Sequence, residues 1–344
     1  MRKIKETSSI TIEQVAREAG VSTATVSRVI NKNDAVSPEL QAQVRKVIDR
    51  LGYKPNRSAR NLRAGKVRKV GVLFADIQNP FFTSVLAGIE ATLQQADYVL
   101  LLGNSNEDPR IEQMHLQVFQ EEGVAGIILA AATNTPNIYQ EVIRSGIPIL
   151  ALDRAPGGLR VDSVSINNIE TAAMATHHLI KLGHKDIAFI GGPETISTAR
   201  LRREGYQKAL QESGIDFTRV ELSNYRQSGG YDAMRRLLST PPIPSAVLVA
   251  NNLMTLGALQ AIHESGKKIP QQIALVGFDD MPWATSLQPP LTVVAQPTYE
   301  LGSIAVRLLL DRIQYPDGPI QQVTLATHLI VRESCGGKLA AIPG

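Results

Sequence analysis

VAREAGVSTATVSRVIN, residues 15–31, carries the spacing that decides how this chain begins to fold. Thr11 followed by Gln14 fits a capping box, and Ile12, Val15, Ala16 and Ala19 then recur at helical spacing. Gly20 breaks that helix, and Ser22 is placed to cap a second one whose apolar stripe is Val26, Val29 and Ile30. A short helix, a tight turn at Ala19–Gly20–Val21 and a second, capped helix make a helix-turn-helix, with Ala16 small enough for close packing. Thr23, Ala24, Thr25 and Arg28 then project from the part of the second helix that meets base edges in a major groove. Arg28 supplies a two-pronged donor for guanine, and Thr23 and Ala24 suit a thymine methyl.

Outward from this stretch, Ser37-Pro38 starts a third helix through Leu40, Val44, Val47, Ile48 and Leu51, which Gly52 stops. Residues 53–69, YKPNRSARNLRAGKVRK, hold seven basic side chains and little core material, so they read as a linker too short to keep a helix by itself. Residues 1–69 contain 16 Lys/Arg against 6 Asp/Glu, a net of +10, whereas the whole chain is only +4 and the remainder therefore −6. A basic head on an acidic body is the charge footprint of nucleic-acid contact.

From Val70 onward, short apolar runs alternate with longer amphipathic segments. The runs are VGVLF (70–74), YVLLL (98–102), GIILA (126–130), IPILAL (147–152), DIAFI (186–190), AVLVA (246–250) and IALVGF (273–278). Continuous rather than alternating apolarity marks strands buried on both faces of a parallel sheet. Segments such as 82–95 and 169–182 supply the crossover helices of a doubly wound α/β module large enough to form two lobes. With 43% hydrophobic and 20% charged residues the chain is too apolar for disorder, and no stretch reaches bilayer-spanning length. The first residues lack the apolar core of a secretory signal, and Cys335 is the single cysteine, so the expected compartment is the cytoplasm.

The run VAREAGVSTATVSRVIN, followed by VSPEL, LGYKPN and ARNLRAGK, resembles the head of the lactose-repressor/galactose-repressor (LacI/GalR) family of transcription regulators. The match is nearly continuous within one short window. It implies a DNA-contacting set of Ser22, Thr23, Ala24, Thr25, Arg28 and Asn31 in the head, and Tyr53, Asn56, Arg57, Ala59 and Leu62 in the linker. In that family the linker folds as a hinge helix on DNA, paired hinges enter the minor groove, and a leucine wedges into a base step. By motif alignment the wedge is Leu62, with Ala59 facing the partner hinge and Asn56 near its start. Arg57, with Lys54, Arg60 and Arg63, would bind phosphate.

The resemblance continues through IQNPFF, ALDR, LGHKDIAFIGGP, ARLRREGY, ANNLMTLGAL, VGFDD, QPPLTVVAQP and VRES, in family order. It implies a two-lobed fold like that of periplasmic binding proteins, with a ligand held between the lobes. The expected organisation is a helix-turn-helix domain over 1–52, a hinge over 53–69 and an effector-binding and dimerisation domain over 70–344. Its N-lobe would comprise about 70–168 and 298–328, its C-lobe about 169–297 and 329–344. Carried over by motif, the pocket residues are Asn79, Phe81, Phe82, Asp153 and Arg154 from the first lobe, and Arg202, Asn251, Asp279 and Gln296 from the second. Carboxylates and amides pair with vicinal hydroxyls, Arg gives a rigid donor fork, and Phe stacks on a sugar ring. The set resembles that of ribose-type binding proteins, so the expected effector is a pentose or related small sugar, with a sugar acid next. The chain departs from the common Ala-Asn-Asp of the family at Ala250-Asn251-Asn252.

The tail GGKLAAIPG has no apolar heptad, so a twofold homodimer on a palindromic double-stranded operator is the expected assembly. No GxGxxG, no GxxxxGK[ST] and no cysteine cluster is present, and His177 and His178 are adjacent rather than a helical turn apart. Neither an enzyme nor a bound cofactor or metal is expected. A sugar-transport binding protein without a DNA role would explain the body alone, but not the basic head.

Overall fold

The computed structural model describes residues 12–30, 36–51, 69–132, 136–216 and 218–337, and the chain divides into two compact units, Met1–Val67 and Arg68–Gly344. Thr11, Asn31, Tyr53, Asn56, Arg57, Ala59, Leu62 and the tail from Lys338 lie outside the described residues.

The first unit contains α1 (Ile12–Glu18), α2 (Thr23–Ile30) and α3 (Pro38–Leu51). Val15, Val26 and Val44 meet at its centre with no exposed surface, and Ala16, Ala19, Val29 and Val47 complete the core. Burying each valine is worth about 1.5–3 kcal/mol, which three short helices need because none is long enough to persist alone. The corner between α1 and α2 depends on Gly20 at φ +64°, a conformation that costs other residues strain. Ser22 Oγ accepts the Thr25 N–H at 3.1 Å and Ser37 Oγ the Leu40 N–H at 3.4 Å, so both serines cap the helices that follow them. The Gln43 amide of α3 donates to the Ala19 carbonyl at 3.0 Å, closing the end of α1.

The second unit is built on two six-stranded sheets. In the first, β1 (Lys69–Phe74), β2 (Val99–Asn104), β3 (Gly126–Leu129), β4 (Ile149–Leu152), β5 (Asp162–Ile166) and β11 (Gln322–Leu325) lie in the order β11-β5-β4-β3-β1-β2, all parallel. In the second, β6 (Ile187–Gly191), β7 (Arg219–Leu222), β8 (Ala246–Val249), β9 (Ala274–Phe278), β10 (Thr292–Ala295) and β12 (His328–Ile330) lie in the order β12-β10-β9-β8-β6-β7, with only β12 antiparallel. The two orders are the same pattern repeated, and each reverses direction after its first strand, between β1 and β3 and between β6 and β8. At such a reversal neighbouring crossovers leave on opposite faces and open a crevice at the carboxyl ends of the strands.

Crossovers are made by α4 (Pro80–Gln95), α5 (Pro109–Glu121) and α6 (Asn137–Arg144) in the first lobe, and by α8 (Ser197–Glu212), α9 (Gln227–Ser239) and α10 (Asn252–Glu264) in the second. Two helices carry the chain between lobes, α7 (Asn168–Lys181) after β5 and α11 (Thr298–Gln314) after β10. α11 lies directly against α4, where a Cβ on Gly88 would come within 2.1 Å of the Tyr299 carbonyl oxygen and one on Gly302 within 2.2 Å of the Val85 oxygen. Arg312 of α11 then clasps the Asp162 carboxylate of β5 through Nε at 2.7 Å and Nη2 at 2.9 Å.

Among the described residues all seven apolar runs read from the sequence are strands, and five further strands lie outside those runs. β5 alternates buried and half-buried residues, β7, β11 and β12 are edge strands with partly exposed side chains, and β10 (TVVA) is a short buried run that starts on a threonine between Pro290 and Pro297.

Candidate functional site

The carboxyl ends of both sheets face one cavity of about 560 Å3, its mouth included. All nine residues nominated from the sequence line it. Asp76, Glu107, Thr198, Asn224, Tyr225 and Arg226 line it as well, and the sequence reading did not single these out. Asp76 follows β1 and Glu107 follows β2, whereas Asn224, Tyr225 and Arg226 follow β7, a strand without an apolar run to mark its end.

On the first lobe, Asn79 caps α4, its Oδ1 accepting the Phe81 N–H at 3.0 Å, and Pro80 fixes the first turn. The cap aims Phe81 and Phe82 at the cavity. Phe82 is stacked on Phe74 and set edge-on to Phe81, each at 5.1 Å between ring centres, so the apolar wall is rigid. Asp153 and Arg154 follow β4. Arg154 donates from Nε to the Ala131 carbonyl at 2.5 Å and from Nη2 to Glu107 at 2.6 Å. Burial opposes the Arg154 charge, but Glu107 beside it holds its proton more firmly than usual.

The second lobe contributes a matching set. Arg202, on α8, donates to Asn168 Oδ1 at 2.7 Å and to the Ala250 carbonyl at 2.6 Å, with its guanidinium 4.3 Å above the Phe278 ring. Asn251 caps α10 by accepting the Met254 N–H at 2.8 Å, and its amide donates to the Tyr225 carbonyl at 3.0 Å. Asp279 follows β9 and accepts from Gln296 Nε2 at 2.6 Å and from Asn252 Nδ2 at 2.8 Å. Gln296 Oε1 is buried without a hydrogen-bond partner among the described residues, an acceptor that a hydroxyl in the cavity would satisfy.

Asp153 and Asp279 occupy equivalent places in the repeated pattern, each directly after the fourth strand of its half. Both are buried, both have left-handed backbone (φ +65° and +67°), and both send their N–H to the next strand, at 2.9 Å to Val164 O and 2.8 Å to Val294 O. Burial pushes both carboxyls above the ordinary aspartate range, and Arg202 draws both back towards the charged form. Two paired, desolvated carboxylates, two anchored guanidiniums and a stacked aromatic wall make a site for a small polyhydroxylated molecule.

Among the described residues, two hydrogen bonds cross between the lobes beside the cavity. Asn252 Nδ2 donates to Asn79 Oδ1 at 2.8 Å, and Arg226 Nη2 donates to Asn106 Oδ1 at 2.8 Å. In the other unit, Ser22, Thr23, Ala24 and Arg28 are exposed around α2 and Thr25 is half-buried, its hydroxyl 3.0 Å from that of Ser22. Among the described residues no group of three or more His, Cys, Asp or Glu side chains could hold a metal ion, and no helix is long and apolar enough to cross a membrane.

Residues 11–56 match the model of bacterial regulatory proteins of the lacI family, and residues 176–335 match the periplasmic binding protein-like domain. The ribose operon repressor of Escherichia coli (strain K12) is 36% identical over 328 residues, covering 94% of this chain and 99% of that one. The lac repressor dimer solved with operator and the anti-inducer ONPF superposes with a TM-score of 0.85 at 27% identity, covering 95% of this chain and 99% of the other. A LacI family transcriptional regulator from Enterococcus faecium, solved with bound ribose, superposes with a TM-score of 0.70 at 30% identity, over 77% of this chain and 98% of the other. With nearly its whole length aligned to such a relative, the chain belongs to the lacI family of bacterial regulatory proteins.

Proposed function

We propose that the chain is a transcriptional repressor that grips a palindromic operator as a homodimer, and that a small neutral sugar in the cavity between its lobes changes that grip. The observation that carries the effector half is convergence. Nine residues chosen from separated sequence motifs come together around one cavity at the carboxyl ends of two sheets. The chemistry favours a neutral pentose or related sugar over a sugar acid, because the carboxyls of Asp76, Glu107, Asp153 and Asp279 line the same cavity as the two anchored guanidiniums and would repel an acid. Arg154 is bound to Glu107 and a carbonyl, and Arg202 to Asn168 and a carbonyl. The ribose bound to the Enterococcus faecium regulator points to the same class.

The DNA half rests on α2, which presents Thr23, Ala24 and Arg28 outward, and on the basic segment from Tyr53 to Lys69. The dimer is supported by the exposed apolar side chains of Val99 and Leu102 on edge strand β2 and of Met114 and Val118 on neighbouring α5, which a twofold copy would cover. A DNA partner would be met in the cytoplasm, so that compartment is part of this reading. The effector shifts operator affinity by the difference in its own affinity for two lobe arrangements, about 1–3 kcal/mol of coupling in systems of this kind.

A thermal-shift screen of the full chain against pentoses, hexoses, sugar acids, nucleosides and purines tests this reading. D-ribose or another neutral sugar at 100 times its dissociation constant should stabilise the protein by about 2.7 kcal/mol. A shift produced by purines alone would overturn the effector assignment. Equal binding to all DNA fragments in a salt titration would overturn the operator assignment.

A further inference from the structure

Asn252 opens α10, is 1% exposed, and stands behind the cavity wall rather than on it. Its Nδ2 lies 2.8 Å from Asp279 Oδ2 on its own lobe and 2.8 Å from Asn79 Oδ1 on the other. Both acceptors are fixed by other partners. Asn79 Oδ1 is identified as oxygen by the Phe81 N–H that it accepts, and Asp279 holds Gln296 through its second oxygen. The amide of Asn252 therefore turns its nitrogen towards them, and its Oδ1 is left buried without a partner among the described residues. A buried carbonyl oxygen left unmade costs free energy, so the two donated bonds must offset it.

We propose that Asn252 is the positioning residue of the pocket: with its two amide hydrogens it orients Asp279 and Asn79 at once and ties the first lobe to the second. The bridge runs through protein atoms alone. It sets the separation of two groups that would face a ligand from opposite lobes, and only a side chain with two donors on one atom can make it. Aspartate has the same shape and no donor, so at this position it would set a carboxylate against Asp279 and Asn79 Oδ1. Of the charged groups nearby, Arg202 on α8 favours ionised carboxyls there and Asp153 after β4 opposes them.

The test is the melting temperature of the full chain and of Asn252→Asp between pH 5 and 8, without ligand. An acid in the first turn of a helix ordinarily stabilises it. The bridge predicts the reverse at pH 8, a loss of at least about 3 °C. A carboxyl buried beside Asp279 has its folded pKa raised, so its stability is present at low pH and lost as pH rises through that value. The gap to wild type should therefore shrink towards pH 5. Asn79→Asp keeps an acceptor for both Phe81 and Asn252 and should cost less than half as much at pH 8. Equal or higher stability of Asn252→Asp at pH 8, a gap that does not change with pH, or an equal loss in Asn79→Asp overturns the proposal. If Asn252→Asp does not fold, Asn79→Asp decides: wild-type-like melting supports the bridge and failure to fold refutes it. The proposal deepens the reading of the cavity as an effector site, but its test needs no effector. A failed melting series leaves that reading standing, and a failed sugar screen leaves the bridge standing.

Discussion

Removing Arg202 tests how far the pocket depends on one buried cation. Arg202→Ala deletes the bonds to Asn168 and the Ala250 carbonyl, the stacking on Phe278, and the charge that favours ionised Asp153 and Asp279. Arg202 is 5% exposed, so water cannot replace what is lost. Arg202 makes no direct ion pair among the described residues, but removing a buried cation leaves two hydrogen-bond acceptors unpaired and two carboxylates less compensated, a loss of about 3–5 kcal/mol. For a unit of this size each kcal/mol moves the melting temperature by about 2 °C, which gives a fall of about 6–10 °C at pH 8. The loss depends on pH with a definite sign. Without Arg202 the two carboxyls rise further above their unfolded values, and stability held below those values is lost as pH rises through the raised ones. The deficit should be largest at pH 8 and smaller at pH 5. Calorimetric melts of wild type and variant at the two pH values read it directly. A fall under about 2 °C at pH 8, or the same fall at both, would refute the electrostatic role. The surviving folded fraction should also lose its melting shift with sugar.

Three further expectations concern other parts of the chain. Arg28→Ala should cost about 1–3 kcal/mol at the base pair that it contacts and blur preference there, read by titrating operator variants at fixed salt; unchanged selectivity would remove its role. Leu62→Ala should reduce operator bending while sparing loose, salt-sensitive DNA binding, and equal bending by mutant and wild type in a permuted-fragment gel would exclude the wedge. Asp162→Asn should destabilise the second unit by about 2 kcal/mol at pH 7, because the pair with Arg312 lies between a surface and a fully buried bridge. Although burial alone would raise it, Arg312 and the Gln321 N–H hold Asp162 below the ordinary aspartate value. Its contribution is present above the unfolded pKa and lost as pH falls through the folded one, so urea denaturation should show a smaller difference between variant and wild type at pH 3 than at pH 7.

The sheets could be read from the sequence where burial on both faces leaves no room for polar residues. VGVLF became β1 and AVLVA became β8 because each is covered by helices above and below, and continuous apolarity is then obligatory. β7, RVEL, runs along a sheet edge where Arg219 and Glu221 stay in contact with water, so nothing in its composition marks it. That blindness carried over to the pocket. Asn224, Tyr225 and Arg226 sit on the loop after β7, and a loop whose strand goes unseen cannot be placed at a carboxyl end. Glu107 was hidden differently: its partner Arg154 lies 47 residues away, a pairing that only the folded sheet creates. The nominated nine were visible through family motifs more than through periodicity, which says where strands end and not which side chains meet there. In the head, the Gly20 corner and the Ser22 cap were both legible because each is a local device, settled within three or four residues.

Asp153 and Asp279 hold a left-handed backbone and a desolvated acid at the same two points. Glycine would release about 1–3 kcal/mol of backbone strain at each of them, and either glycine or asparagine would leave no carboxylate to bury. Laboratory evolution for heat resistance should therefore be drawn to these positions first. If the cavity holds the effector as proposed, the survivors would be sturdier proteins that no longer hear their signal, because the same two carboxyls would both burden the fold and hold the ligand.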